Sequence, residues 1–389
     1  MFFVGNGISL IGTWMQRLAM SWLVYRLTGS AFWLGVAEFA SQFSAFLLMP
    51  FAGVILDHSD LRRSLLITQF LGFLQAFLLS VYTFSGNINL YQVLLFSVFL
   101  GLINAFDLPG RQTFVVRLID RREDLANAIA LNSTLFNAAR LIGPSVAGLA
   151  VASIGEAGCF FLNSLSFIPI IMVLFHLNIL PEKRAKTSQP FRKDFFDGLR
   201  YSYRHGVIGP ILIFLALISF IGMSFVVLLP VIAKENLGRG SETFGFLMGA
   251  SGLGALLGAL YLASLKDLKG SMGIIPLSFG LFGFGLIFFA WTPYLWISLG
   301  IMAFNGFWMI LGWSVSNTII QSIVDDEKRG RVMSFFLMAF MGMVPLGSLL
   351  LGSLSQSFGP NVALTISGGS CFLASIFFRL YQSANLRKS

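Results

Sequence analysis

Three charged side chains stand where long apolar stretches should carry none. Arg17 follows Gln16 about two-thirds of the way along the first stretch. Glu38 lies about a turn and a half inside the second, and Arg140 near the middle of the fifth, with Asn132 and Asn137 on the same helix. A charge inside a bilayer is costly, so such residues are functional candidates by default. The depths of Arg17 and Glu38 differ by roughly 5–7 Å at 1.5 Å per residue, within reach of two long side chains. Burial favours a neutral carboxyl and a nearby guanidinium favours the carboxylate. An acid between those influences is suited to taking up and releasing a proton. The plainer reading is a static pair near the outer mouth, or a Glu38 simply exposed there. Arg140 is suited to holding an anionic cargo or a coupling carboxylate; its plainer role is a bond to neighbouring backbone carbonyls. Trp14, Trp308 and Trp313 are candidates for lining a substrate cavity, because Gln16, Asn305 and Asn317 accompany them. Trp291, Trp296 and Tyr294 read instead as an interfacial belt.

Soluble-enzyme constellations are missing. The three His (His58, His176, His205) fall near helix ends or loops, and no glycine-rich phosphate loop ends in Lys-Ser or Lys-Thr. The chain reads as a non-enzyme with no cofactor and no metal, and any uphill work it does would have to draw on an ion gradient and not on a nucleotide. Cys159 and Cys371 both lie in apolar stretches and read as packing residues.

The elements that must position these residues are membrane helices. A soluble domain is about a quarter charged; this chain is 11% charged and 56% hydrophobic, with a mean hydropathy of +0.81. A crossing helix needs about 20 mostly apolar residues, and that density recurs along the whole chain. The alternating ten-residue segments of a β-barrel are absent. Twelve spans are expected, near 4–27, 32–56, 62–84, 89–112, 123–153, 157–179, 208–233, 242–265, 271–291, 293–322, 330–358 and 360–381. Nearly all loop Lys and Arg fall on one side, and only Arg26, Lys234 and Arg239 on the other. The positive-inside rule therefore puts both termini and the basic loop 181–207 in the cytoplasm. The net charge of +9 is explained by this topology and not by nucleic acid.

The loop 181–207 separates an N-terminal six-helix half, 1–180, from a C-terminal half, 208–389. The halves repeat: residues 30–35 (SAFWLG) match 240–245 (GSETFG), and Asp57 matches Asp267, at an offset of 210. Gly148 and Gly155 fall on Gly352 and Gly359 at 204, and Cys159-Phe160 on Cys371-Phe372 at 212. The fold class is thus an all-α membrane protein with twelve transmembrane helices in two pseudo-symmetric halves. Parallel repeats of this kind are the arrangement of major facilitator transporters.

Gly53-Val-Ile-Leu-Asp57-His-Ser-Asp60-Leu-Arg62-Arg63 resembles the major facilitator loop motif G-x-L-a-D-r-x-G-r-k. It departs at Asp60, where the family has Gly, and by one extra residue before the arginines. The resemblance implies a conformational latch, with Asp57 meeting the helix start near 331–334, including Arg331, and Arg62 or Arg63 pairing with Asp107. The segment 139–148 is similar to the antiporter motif g-x-x-x-G-P-x-x-G-G; Gly143, Pro144 and Gly148 match and alanines replace two glycines. Its plainer reading is close helix packing. The run 105–148, with the tail 329–348, resembles the transmembrane secretion effector branch, which includes siderophore exporters and macrolide efflux pumps. Those relatives usually carry a short basic segment before the first span, whereas here Met1-Phe-Phe-Val enters it directly; either the start lies upstream or the sequence is trimmed.

The resemblance implies a secondary active transporter of the inner or plasma membrane. It would export a small amphipathic molecule, a siderophore or drug, by proton-coupled alternating access. An importer of the same fold, and a non-transporting receptor or assembly factor, remain as alternatives. Its partners would be the cargo, protons and the lipid bilayer, with the chain monomeric.

Overall fold

The computed structural model describes residues 2–118, 122–176, 200–202, 205–265, 271–325 and 328–386. Most of the loop 181–207, Lys266 to Lys269, Arg387 and Lys388 lie outside them, as does the side chain of Asp57.

Among the described residues the chain is helical, with no strand. α1 is Phe2–Thr28, α2 Ala31–His58, α3 Leu61–Phe84, α4 Leu90–Arg117 and α5 Arg122–His176. α6, Ile208–Ile221, continues through a 3-10 turn at Met223–Leu228 to a π turn at Ile232–Asn236. There follow α7 (Ser241–Ser264), α8 (Ile274–Trp291), α9 (Leu295–Ile323), α10 (Arg329–Met341), α11 (Met343–Phe358) and α12 (Pro360–Leu386).

Polar residues set the starts. The Asp60 carboxylate accepts from the amides of Arg62 and Arg63, which otherwise lack intrahelical partners. Asn89 and Gln92 exchange bonds of 3.0 and 2.9 Å in a capping box that opens α4.

Ten helical stretches among the described residues are long and apolar enough to cross a membrane. α1 is not among them, since Asn6, Gln16, Arg17 and Arg26 dilute its apolar content. The stretch Ala130–His176 has 47 residues, about twice what one crossing needs. It is broken at Gly155, whose φ of 73° and ψ of 173° are not helical. Gly359, between α11 and α12, has φ 86° and ψ 158°. That region is open essentially to glycine alone, so the two positions matched at an offset of 204 share one backbone conformation.

The chain forms two compact units. One comprises Met1–Ala185 with Ala233–Gly249, the other Lys186–Ile232 with Ala250–Ser389. In the first, α5 lies along α1 and α3, and α2 along α4. One end is closed by a cluster that includes Phe2, Leu56, Leu61, Leu65, Phe114 and Ile170. In the second, α8 packs against α12 and α9, and α11 against α6. Close approaches recur between the units' own helices. A side chain on Gly101 of α4 would strike the Ser41 carbonyl of α2; one on Gly306 of α9 would strike the Ser251 carbonyl of α7. Ser41 and Ser251 are themselves 210 residues apart.

Candidate functional site

The first unit carries its chemistry in three polar layers. The lowest is an ion pair between Asp107 and Arg111, one helical turn apart on α4, with Nε to Oδ2 at 2.6 Å. Both side chains are buried, 9% and 13% exposed. The carboxylate also accepts from Thr68 Oγ1 at 3.0 Å and from Gln69 Nε2. Arg111 donates to Asn6 Oδ1, to Ser9 Oγ at 3.3 Å and to Gln69 Oε1 at 3.0 Å. Asn6 Nδ2 reaches Asn132 Oδ1 at 3.3 Å. Four helices, α1, α3, α4 and α5, are thus joined by one satisfied network.

The sequence reading paired Asp107 with Arg62 or Arg63, and the structure does not. Arg62 donates to the carbonyls of Leu174 (2.7 Å) and Phe175 (2.5 Å), last-turn groups of α5 that lack intrahelical partners. Arg63 lies 3.7 Å from Asp60. Arg111 wins Asp107 because i,i+4 residues share a helix face. That spacing was the signal available and unused.

The middle layer centres on Gln16, which is fully buried. Its Nε2 donates to Gln75 Oε1 at 2.8 Å and its Oε1 accepts from Asn163 Nδ2 at 2.6 Å. Gln75 also donates to the Phe96 carbonyl at 3.3 Å. Both ends of the amide are used inside the bundle, so Gln16 ties α1 to α3 and α5; it does not line a cavity.

The outer layer holds the charged residues singled out first. Arg17 Nη2 and Glu38 Oε1 form an ion pair, and Gln42 Nε2 donates to the same oxygen. Arg17 is 43% exposed and Glu38 19%, so the pair lies at the edge of the packed helices and not in their interior. The Arg17 guanidinium lies 5.6 Å from the centroid of the Trp14 ring, a cation–π distance. Gly143 of α5 backs onto Trp14, leaving no room for a side chain there. Arg140, one turn earlier on α5, is half-buried. Asn137 is exposed and donates to its own helix, at the Ser133 carbonyl, 2.9 Å.

The antiporter-like segment is a helix contact. Gly148 and Gly245 meet backbone to backbone, Pro144 presents its carbonyl to Gly245, and Ser241 Oγ donates to the Gly148 carbonyl at 3.3 Å. Two further polar links of this unit had no signal in spacing. Arg26 Nε lies 2.7 Å from Glu156 Oε1, and Tyr25 Oη donates to Glu235 Oε1 at 2.9 Å.

The latch residues are only partly described. Gly53 is half-buried on α2 with space around it. Arg331 is half-buried in the first turn of α10. The Asp57 side chain, on which the latch turns, lies outside the described residues.

The second unit's candidates separate. Asn305 is fully buried and its carboxamide is turned against Gly285 of α8, so it faces a helix contact and not a cavity. Trp308 packs edge-to-face on Phe304 and Phe307, with centroids 6.1 and 5.2 Å away. Trp313 lies 4.5 Å from Phe336 and 5.0 Å from Phe340. Asn317 accepts from Gln321 of its own helix at 2.7 Å. Among the described residues no three His, Cys, Asp or Glu cluster as a metal site would require.

Against known proteins, the transmembrane secretion effector family matches residues 1–388. The staphyloferrin A transporter of Staphylococcus aureus is 28% identical, over 97% of this chain and 94% of its own length. The multidrug efflux pump Tap of Mycolicibacterium fortuitum is 24% identical, over 91% and 87%. A bacterial homologue of the human lysosomal transporter Spinster, solved inward-facing and occupied, superposes with a TM-score of 0.77 at 14% identity, covering 98% of this chain and 96% of that one. A match that runs the full length, on an all-helical chain with ten candidate membrane spans, settles the family: the chain is a multi-pass membrane transporter of the transmembrane secretion effector family, within the major facilitator superfamily.

Proposed function

We propose that the protein exports a small amphipathic molecule, of siderophore or drug type, by proton-coupled alternating access. Glu38 carries the exchanged proton. The observation that carries this reading is the Arg17–Glu38 pair, an acid held by a guanidinium and by Gln42 and partly exposed on a membrane helix. Relatives named as a siderophore transporter and a multidrug efflux pump support the cargo type. In this reading α1 and the two parts of α5 each cross the membrane, giving twelve crossings in two pseudo-symmetric halves. Both termini lie in the cytoplasm of a monomer in the inner or plasma membrane.

With the outer face open, Glu38 takes a proton from outside and loses its hold on Arg17. With the inner face open, the proton leaves and the pair re-forms. Coupling requires that the two states differ in proton affinity, since equal binding shifts nothing. The charged neighbour of Glu38 among the described residues is Arg17, with Gln42 as its neutral donor. Glu38→Gln in proteoliposomes is expected to abolish accumulation driven by a pH gradient while downhill exchange of cargo persists. Wild-type accumulation by the variant would remove Glu38 from the coupling role. The latch residues Gly53, Asp57, Arg62, Arg63 and Arg331 stand in the same reading as the device that sets the balance of states.

A further inference from the structure

Three arginines of the first unit each pair with a carboxylate. Arg17 pairs with Glu38, Arg26 with Glu156 and Arg111 with Asp107. Tyr25 takes Glu235, and the amide of Gly240 takes Glu242 at 3.0 Å. Arg140 has no hydrogen-bond or ion-pair partner among the described residues. Arg17, of the same sign, lies beside the Trp14 ring against which Gly143 of the Arg140 helix is seated.

The position of Arg140 is fixed by packing. Gly143 is seated on Trp14, so α1 and α5 are in contact there. Arg140 is one turn before Gly143, and Arg17 one turn after Trp14 with its guanidinium beside that ring. The two arginines therefore flank one helix contact. Arg140 itself is half-buried. Asn137, a turn earlier, adds an exposed carboxamide.

An unpaired guanidinium inside a membrane helix is costly, and removing one partner of a buried pair leaves the other strongly destabilising. Arg140, with no hydrogen-bond or ion-pair partner among the described residues, is in the position of such a leftover partner. A guanidinium offers a planar fork of donors that fits a carboxylate bidentately. We propose that Arg140 is an anion subsite that receives a carboxylate of the cargo, with Asn137 beside it and the positive field of Arg17 behind it. The cargo class is then a small carboxylate-bearing molecule. The proposal rests on the transporter reading for the word cargo. Its test reads binding alone, so the two fail separately.

The probe is citrate, titrated calorimetrically into the full chain in phosphatidylcholine nanodiscs, with the neutral trimethyl ester of citrate as control. Citrate is expected to bind saturably and the ester not at all. Arg140→Gln should weaken citrate by about tenfold or more, the size of a charge-assisted hydrogen bond, and Arg140→Lys should keep part of the affinity. Ligand-free Arg140→Gln should also unfold at a temperature no lower than wild type, because it removes an uncompensated charge. Equal citrate binding by Arg140→Gln, no saturable binding by wild type, or a lowered unfolding temperature in the ligand-free variant overturns the proposal. Citrate binding that disappears when anionic phosphatidylglycerol replaces phosphatidylcholine would assign the site to a lipid headgroup instead, and overturns it as a cargo site.

Discussion

The two compact units use the same close helix contacts and opposite chemistry. In each, a glycine lets one helix carbonyl approach another, at Gly101 with Ser41 and at Gly306 with Ser251. In each, a glycine of the same unusual conformation breaks a long helical run, at Gly155 and Gly359. The first unit fills its interior with amides and ion pairs, among them Asn6, Gln16, Gln69, Gln75, Asp107 and Arg111. The described helices of the second unit carry charges only towards their ends, such as Arg329 and Arg379. Their buried polar groups are mostly serines, of which Ser224, Ser316, Ser348, Ser367 and Ser375 bond to backbone carbonyls. A backbone geometry can thus be duplicated while its polar content diverges, because helix approach needs only small residues at a few positions. The polar content is free to be spent on function in one half.

The largest effect should come from breaking the buried pair. Asp107→Ala leaves Arg111 charged and enclosed, which costs about 3–5 kcal/mol. The expected outcome is loss of folded protein from the membrane, read as a collapsed unfolding temperature in detergent. The double variant Asp107→Leu with Arg111→Met should recover much of the loss, since apolar replacement of both partners is often neutral. No recovery would mean that the network does more than satisfy itself.

Packing variants should affect both units alike. Gly101→Val and Gly306→Val each drive a side chain into a facing carbonyl, and overpacking costs typically about 1–3 kcal/mol. Gly155→Ala and Gly359→Ala force an L residue into glycine-only backbone, again about 1–3 kcal/mol. Thermal unfolding of the four variants should give two similar pairs. A large difference within either pair would break the repeat at that position.

These positions also mark how far the sequence could be read. Gly155 and Gly359 were visible as matched glycines, and their common conformation follows because one backbone state demands one residue type. Arg17 and Glu38 were legible from depth alone, since rise per residue is fixed. Asp107, Gln16 and Asn305 were placed on the right helices and turned to the wrong neighbours. Rotation about a helix axis is normally read from an apolar stripe, and these helices are apolar all round. Only short-range spacing survives that loss, as Arg111 four residues after Asp107 shows. The Arg26–Glu156 and Tyr25–Glu235 links join residues more than a hundred apart, with nothing local to announce them.

A smaller effect is expected at Asp60, the residue that departs from the loop motif. The structure gives it the role of cap for α3, accepting from Arg62 and Arg63. Asp60→Ala should cost about 0.5–2 kcal/mol and Asp60→Gly only a few tenths. Unfolding temperatures in that order would show that the departure from the motif substitutes one acceptable cap for another. If Asp60→Gly were as costly as Asp60→Ala, the carboxylate would have a further partner.

The smallest effect, and the sharpest test of the contrast between the units, is at Asn305. It is the one large polar side chain fully buried in the described helices of the second unit, and neither its nitrogen nor its oxygen has a partner among the described residues. A buried unsatisfied amide costs about 1–3 kcal/mol, while an apolar group of similar shape removes that cost. Leu is close to Asn in size, although the tight seat against Gly285 opposes any added bulk. The two contributions oppose, so Asn305→Leu is expected to change stability by about 1 kcal/mol or less, with transport unchanged. In the first unit the comparable change, Gln16→Leu, strands Gln75 and Asn163 together and should cost clearly more. If Asn305→Leu instead destabilises as much as Gln16→Leu, or stops transport in a protein that remains folded, then Asn305 has a partner in the working cycle. The second unit would then carry polar chemistry of its own, and the division between a functional half and a packing half would fail.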